Sequence, residues 1–266
     1  MGRDLRQRVV VITGASSGIG AATAVASGRA GMRVGLFARR GERLEPVAEQ
    51  VRAAGGEAET APGDVREPDA LASFVAACTR RWGRLDAIVA NAGFGITAPL
   101  AATPPEDARE IFDVNVLGTV WAIRAAWPIF EVQQSGHVVI VSSVVAKHAI
   151  PLNALYSATK AAQASLAQGI RSEARAIGVD VSVVYPVRTE TEFVQALRHR
   201  TEGPRGFRGP KQSADDVARA IIDALESPRF EVYPYGPVRL IAWLEALSPT
   251  LADRVLRFPQ YFRRQR

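Results

Sequence analysis

The feature that most constrains this chain is an alternation. Short apolar, β-branched runs recur along it, each followed by a stretch with helical spacing. Val9–Thr13 reads as a buried strand, then come a glycine-rich turn and a small-residue helix from Gly18 to Gly31. Arg33–Ala38 reads as the next strand, and a helix follows from Gly41 to Ala54. A shorter strand precedes Gly63-Asp64, and Pro68–Trp82 reads as a helix. Leu85–Asn91, His137–Ser142 and Asp180–Tyr185 are further buried strands, with an Ala-rich helix from Asn153 to Ile177. A strand that is apolar on both faces needs cover on both, and strands separated by helices pair in parallel.

The pattern predicts an α/β fold: a doubly wound parallel sheet of Rossmann type in three layers, α/β/α. At 266 residues, 47% hydrophobic and 23% charged, the chain has material for one well-filled domain, and disorder is excluded as a description of the whole. We expect a single domain over 1–266, with two regions of different character. Residues 192–213 mix Arg, His, Gly and Pro without periodicity and are expected to form a lid over a substrate. Residues 233–266 form a basic, amphipathic extension.

Several function classes drop out. The single cysteine, Cys78, sits in an apolar helical pattern and offers neither a disulfide nor a metal cluster, so no metal site is expected. The first residues are charged and lack the apolar core of a secretory signal, and no apolar run reaches the ~18 residues of a membrane span. A cytoplasmic location is the expectation. The net charge of +6 comes from arginines spread along the chain and crowded only near its end, with no nucleic-acid motif beside them. No nucleic-acid partner is expected; an anionic cofactor or a membrane surface is the better use of the charge.

Thr13-Gly14-Ala15-Ser16-Ser17-Gly18-Ile19-Gly20 directly follows the first strand and opens the first helix. Glycine there allows a tight turn and lets backbone N–H groups approach a pyrophosphate at the positive end of the helix. Gly14, Ser16, Ser17, Gly18, Ile19 and Gly20 are the candidate contacts. At the end of the second strand, NAD sites carry an acidic residue for the ribose 2′-hydroxyl. Here that position is Ala38, followed by Arg39 and Arg40, and a guanidinium suits a 2′-phosphate. The preference read from this is NADP(H), carried by Arg39 first, since Arg40 can equally open a solvated helix.

Tyr156-Ser157-Ala158-Thr159-Lys160 sets Tyr and Lys one helical turn apart on one face. Free tyrosine, with a pKa of about 10, is a poor acid or base at neutral pH, and a nearby ammonium lowers it towards a useful range. With the glycine turn, Asp64-Val65, Asn91-Ala92-Gly93, Asn115 and Ser142-Ser143 in this order, the chain from Gln7 to Thr191 resembles the short-chain dehydrogenase/reductase family.

The resemblance implies an oxidoreductase that moves a hydride between nicotinamide and a carbonyl or secondary alcohol. Tyr156 would be its acid/base. Ser143 would hold the substrate oxygen, with Ser142 the near alternative. Lys160 would lower the tyrosine pKa and bind the nicotinamide ribose together with Tyr156. Asn115 would hold a water against the lysine, or cap a helix irregularity. Asp64 would meet adenine with Val65 beside the ring, and Asn91, Ala92 and Gly93 would leave room for the cofactor, Asn91 also bracing the central strands. After Tyr185 the family's Pro-Gly reads Pro186-Val187, which restricts the backbone unless Val187 sits at negative φ; Pro186 would contact the cofactor, and Thr191, or failing it Thr189, would meet the carboxamide.

On the substrate side His148, Ile150, Leu152 and Leu155 suggest an apolar lining and a lipophilic carbonyl or alcohol. Arg188, Arg198, His199 and Arg200 either meet an anionic group or solvate their loop. The tail has two helical patterns parted at Ser248-Pro249, with apolar stripes beside arginines. It packs over the pocket, onto a partner subunit, or onto a membrane surface. The resemblance implies a homodimer or homotetramer. A catalytically silent NADP-binding regulator is the rival function, and a peripheral membrane-associated reductase is the third.

Overall fold

The computed structural model describes residues 2–190, 198–199 and 210–255. Seven strands form one sheet, entirely parallel, in the order β11-β7-β6-β4-β1-β2-β3. They are β1 (Val9–Thr13), β2 (Arg33–Ala38), β3 (Glu57–Pro62), β4 (Ala87–Ala90), β6 (Gly136–Val141), β7 (Val179–Val184) and the short edge strand β11 (Glu231–Val232). The predicted doubly wound, three-layer fold is the one found.

Side-chain alternation divides the core in two. Val9 and Val11 of β1 face one apolar layer with helices α3 (Pro68–Trp82), α5 (Gly118–Gln133) and α6 (Ala154–Ala176). Val10 and Ile12 face the other, with α1 (Gly18–Arg29), α2 (Leu44–Ala53) and the helix Ala214–Glu226. The eight-residue helix α4 (Pro105–Phe112) runs through a π-helical turn, Asp113–Leu117, into α5. Such turns interrupt the regular hydrogen-bond ladder and are common where a side chain must be re-aimed.

Strand order reverses between β1 and β4, the place where open α/β sheets leave a crevice at their carboxyl ends. Two small parallel pairings lie beyond that edge. Backbone β5 (Ile96–Thr97) pairs with β9 (Arg198–His199), and β8 (Arg188–Glu190) pairs with β10 (Lys211–Ser213). Most of the expected lid, including Arg200, and the candidate Thr191 lie outside the described residues. Of that stretch, the described residues are those of β9, Pro210 and those of β10. Helices Val238–Leu247 and Pro249–Val255 form the tail, broken at Ser248 as the sequence predicts.

Candidate active site

The glycine turn is built without room for side chains. Gly14 has φ +67°, and a Cβ there would lie 2.8 Å from Ala92 Cα. A Cβ on Gly20 would overlap the Gly14 carbonyl, so the turn and the end of β4 pack backbone to backbone. Ser17 is the N-cap of α1, yet its side chain makes no cap hydrogen bond and no carboxylate stands in the first turn. The first N–H groups of α1 are thus left for an anion at the positive end of the helix. This cradle fits a dinucleotide pyrophosphate.

The two arginines beside it occupy different places. Arg40 Nη2 donates to Ser17 Oγ at 2.6 Å and to Ser16 Oγ at 3.3 Å, so its guanidinium lies on the glycine turn itself. Arg39 is half-exposed and stands 3.9 Å from Asp64 Oδ2. Asp64 also takes a fork from Arg66, whose Nε and Nη2 donate to Oδ2 at 3.0 and 2.7 Å. Burial raises the Asp64 carboxyl, and the Arg66 hydrogen bonds outweigh it and hold the group below its ordinary value. Val65 is buried against Gly118, where a Cβ would lie 2.7 Å from Val65 Cγ2.

Asn91 proves to be a brace. Its Nδ2 donates to the Thr13 and Gly14 carbonyls at 3.0 and 3.3 Å, while Thr13 Oγ1 accepts from the amides of Asn91 and Ala92. The switch point is locked open by this pair. Gly93 follows, and a Cβ there would meet Asn115 Oδ1 at 3.0 Å.

Asn115 is fully buried in the π turn. Its Oδ1 accepts from Phe94 N, and its Nδ2 donates to Phe94 O and to Thr159 Oγ1, each at 3.0 Å. One side chain thereby ties the segment after β4 to α6. Its own carbonyl accepts from Thr119 Oγ1 and from Gln163 Nε2, both at 2.8 Å. A carbonyl has two lone pairs, and two protein donors meet this one. The Gln163 side chain bridges this carbonyl to Lys160 Nζ.

On α6, Tyr156 and Lys160 share a face, with Nζ 5.7 Å from the tyrosine ring centroid. Lys160 Nζ donates to Val141 O at 2.9 Å and to Gln163 Oε1 at 3.0 Å. Burial pushes Lys160 down to about 7. Burial also pushes Tyr156 up to about 12, opposed by its hydrogen bond with the Ser143 side chain. The expected lowering of tyrosine by the ammonium is therefore not the dominant effect in the protein alone. The reason is that Lys160 gives its hydrogen bonds to Val141 and Gln163, while the phenol loses its hydration.

Ser143 and Ser142 separate as strand alternation requires. Ser142 Oγ turns inward to Lys160 O at 2.8 Å, and Ser143 reaches Tyr156. Pro186 O accepts from Val144 N at 3.0 Å, joining the ends of β6 and β7. Val187 is not among the residues with positive φ, so valine carries no backbone strain there. The chain runs on into β8, where Thr189 is buried with its hydroxyl on Val187 O at 3.0 Å. His148 Nδ1 lies 2.8 Å from Glu245 Oε2, tying the loop after β6 to the tail helix. No metal-ligand cluster occurs among the described residues.

Sequence reasoning passed over Gln163, Thr13 and Glu245. Only Gln163 had a readable signal: a polar residue three positions after Lys160, on the same face of an Ala-rich helix.

The parallel sheet, its switch-point glycine turn and the open edge above it define a Rossmann nucleotide-binding fold of the oxidoreductase class. The profile of the short chain dehydrogenase family matches residues 8–202, and the chain belongs to that family. An uncharacterized oxidoreductase of Listeria innocua is 33% identical over 230 residues, covering 84% of this chain and 92% of the relative. A short chain dehydrogenase/reductase from Burkholderia phymatum, solved in complex with NAD, superposes with a TM-score of 0.85 at 26% identity, covering 94% of this chain and 96% of that one. A metagenomic short-chain oxidoreductase solved with NADP gives 0.73 at 32% identity, covering 87% and 98%.

Proposed function

We propose that this oxidoreductase uses NADP(H) to interconvert a carbonyl and a secondary alcohol on a lipophilic small molecule, with Tyr156 as acid/base. The observation that carries the reading is the convergence of Ser143, Tyr156 and Lys160 at the same sheet edge as the glycine turn. When bound, the nicotinamide supplies or accepts the hydride. Tyr156, protonated at neutral pH by its burial, gives its proton to the substrate oxygen in the reducing direction. Ser143 holds that oxygen through its hydroxyl and shares its developing charge. Asn115 holds the segment after β4 against α6, which keeps the three side chains in register. Gly14, Ser16, Ser17, Gly18, Ile19 and Gly20 would cradle the pyrophosphate, and Lys160 with Tyr156 would hold the nicotinamide ribose. Ala92, Gly93 and Pro186 would border the nicotinamide.

Replacing Tyr156 by Phe should reduce turnover of a screened ketone at least ~100-fold while NADPH still quenches or enhances fluorescence on binding. Unchanged turnover would remove Tyr156 from the chemistry and favour the regulator reading.

The choice of NADP(H) rests on Arg40 at Ser16 and Ser17, with Arg39 beside it. Relatives solved with NAD and with NADP both exist, and the preference for NADP(H) rests on these arginines. Wild-type protein should bind NADPH at least ~10-fold tighter than NADH, and the double substitution Arg39→Ala, Arg40→Ala should erase that ratio. Equal binding of both cofactors by the wild type would refute the assignment. The backbone of 198–199 beside β5 supports a substrate lid over 192–213. A homodimer or homotetramer belongs to the same reading.

The tail supports a further element, contact with an anionic lipid surface. Leu240, Trp243 and Leu247 are 66%, 57% and 85% exposed, and Leu251 and Val255 continue the apolar stripe. Arg239 lies 5.3 Å over the Trp243 ring, and residues 237–266 carry six arginines against Glu245 and Asp253. Apolar side chains framed by arginine match an anionic bilayer surface. No described helix is long and apolar enough to cross a membrane.

A further inference from the structure

Gln163 lies one turn beyond Lys160 on α6 and is completely buried. Each of its polar atoms is engaged. Oε1 accepts from Lys160 Nζ at 3.0 Å, and Nε2 donates to Asn115 O and Thr119 Oγ1, both at 2.8 Å. The orientation of the amide is dictated by its partners, because an ammonium only donates and a carbonyl only accepts. The Thr119 hydroxyl gives its one hydrogen to Asn115 O and receives Nε2–H on its oxygen. This hydrogen-bond network links the π turn to the lysine behind the tyrosine and leaves one N–H of the Lys160 ammonium for the open side of the site.

We propose that Gln163 is a positioning residue of the active site: it holds the Lys160 ammonium against the Val141 carbonyl, favours its charged state, and occupies the Asn115 carbonyl from the inside. The inference rests on the reading of Lys160 as part of that site.

The surroundings of Lys160 make Gln163 the group able to do this. From α6 it is faced by the Tyr156 ring and Gln163; from β6 by the Val141 carbonyl; from the end of β4 by Gly93. Tyr156 is the only titratable neighbour among these, and burial alone depresses the lysine, with no carboxylate acting on it. A charge-assisted hydrogen bond from a buried ammonium stabilises the charged form more than the neutral one.

The chain contains three lysines, Lys147, Lys160 and Lys211, so full-length protein labelled with lysine-13Cε gives three resolvable signals, with Lys160 assigned by its loss in Lys160→Arg. The Lys160 signal is titrated in wild type, Gln163→Met and Gln163→Glu. Methionine keeps the length and bulk without donor or acceptor. Its Lys160 midpoint should fall by about one pH unit or more, while that of Gln163→Glu should rise. An unchanged midpoint in folded Gln163→Met would make Gln163 a packing residue and overturn the proposal. Should Gln163→Met fail to fold, an unchanged or lowered midpoint in Gln163→Glu overturns it instead. These titrations need neither cofactor nor substrate, so a wild type that fails to turn over ketones would count against the functional reading alone.

Discussion

His137 is a buried residue with no part in the site, and its protonation is settled by one hydrogen. It lies in β6, opposite Asp180 of β7, and its Nε2 is 2.8 Å from Ser182 Oγ. The Ser182 hydroxyl donates its hydrogen to Arg229 O at 2.6 Å, so His137 Nε2 must be the donor in that pair. The ring is then neutral, with Nδ1 a buried acceptor that has no partner. Burial pushes the histidine down to about 4, and the Asp180 charge only partly opposes this. Below its ordinary pKa of about 6.5 the unfolded chain takes up a proton that the native ring does not. The stability is complete above that value and is lost as pH falls towards 4. Between pH 7 and 5 the wild type should lose on the order of 2 kcal/mol from this group. Urea midpoints at the two pH values should therefore differ more in the wild type than in His137→Gln, which keeps a donor for Ser182 and cannot titrate. Parallel pH responses would show that the ring is not held neutral.

At the scale of elements, legibility follows punctuation. β1, β2 and α3 have the predicted bounds because a glycine turn, Pro68 in the first turn and Gly83 at φ +77° mark their ends. β4 is shorter than the predicted Leu85–Asn91 because side chains capture its flanks. Gln133 binds both the amide and the carbonyl of Leu85, the Asp86 carboxylate takes Val9 N, and Thr13 Oγ1 takes Asn91 N. The π turn at Asn115 left no trace in residue spacing, since its cause is a bond network spanning α5, α6 and the end of β4. The two- and three-residue strands β5, β8, β9 and β10 are too short for any period. The candidate tyrosine and lysine were legible as a helical pair, whereas the lysine's partners come from β6 and the π turn and could not be. The helix Ala214–Glu226 shows a further local device, a full capping box. Ser213 Oγ accepts from Asp216 N, and Asp216 Oδ2 accepts from Ser213 N and Oγ. Ser213→Ala should destabilise by about 1 kcal/mol and lower Tm by roughly 2–4 °C, with Ser213→Thr close to wild type. An alanine variant that melts with the wild type would mean the helix is held by its packing on α1 and the sheet alone.

Across the whole molecule, the sheet gathers its chemistry on one edge and hangs the tail beside it. Lys147–Glu231 at 2.7 Å and His148–Glu245 at 2.8 Å join the loop after β6 to β11 and to the tail helix. A tail seated on lipid would thus bring the site's mouth to the surface where a lipophilic substrate is concentrated, which links the two finer parts of the proposed function. The same stripe would also suit a second subunit, and the two readings respond differently to charge. Lipid contact framed by arginine depends on anionic headgroups and weakens with salt, while an apolar subunit interface does not. Full-length protein should float with phosphatidylglycerol vesicles, much less with phosphatidylcholine vesicles, and less again in 1 M salt, where screening acts over about 3 Å. Replacing Leu240, Trp243 and Leu247 by Ser should abolish flotation and leave NADPH binding intact, because none of the three reaches the glycine turn. If the protein floats with neither vesicle and the triple variant instead converts a dimer into a monomer on gel filtration, the stripe is a subunit interface and the lipid assignment fails.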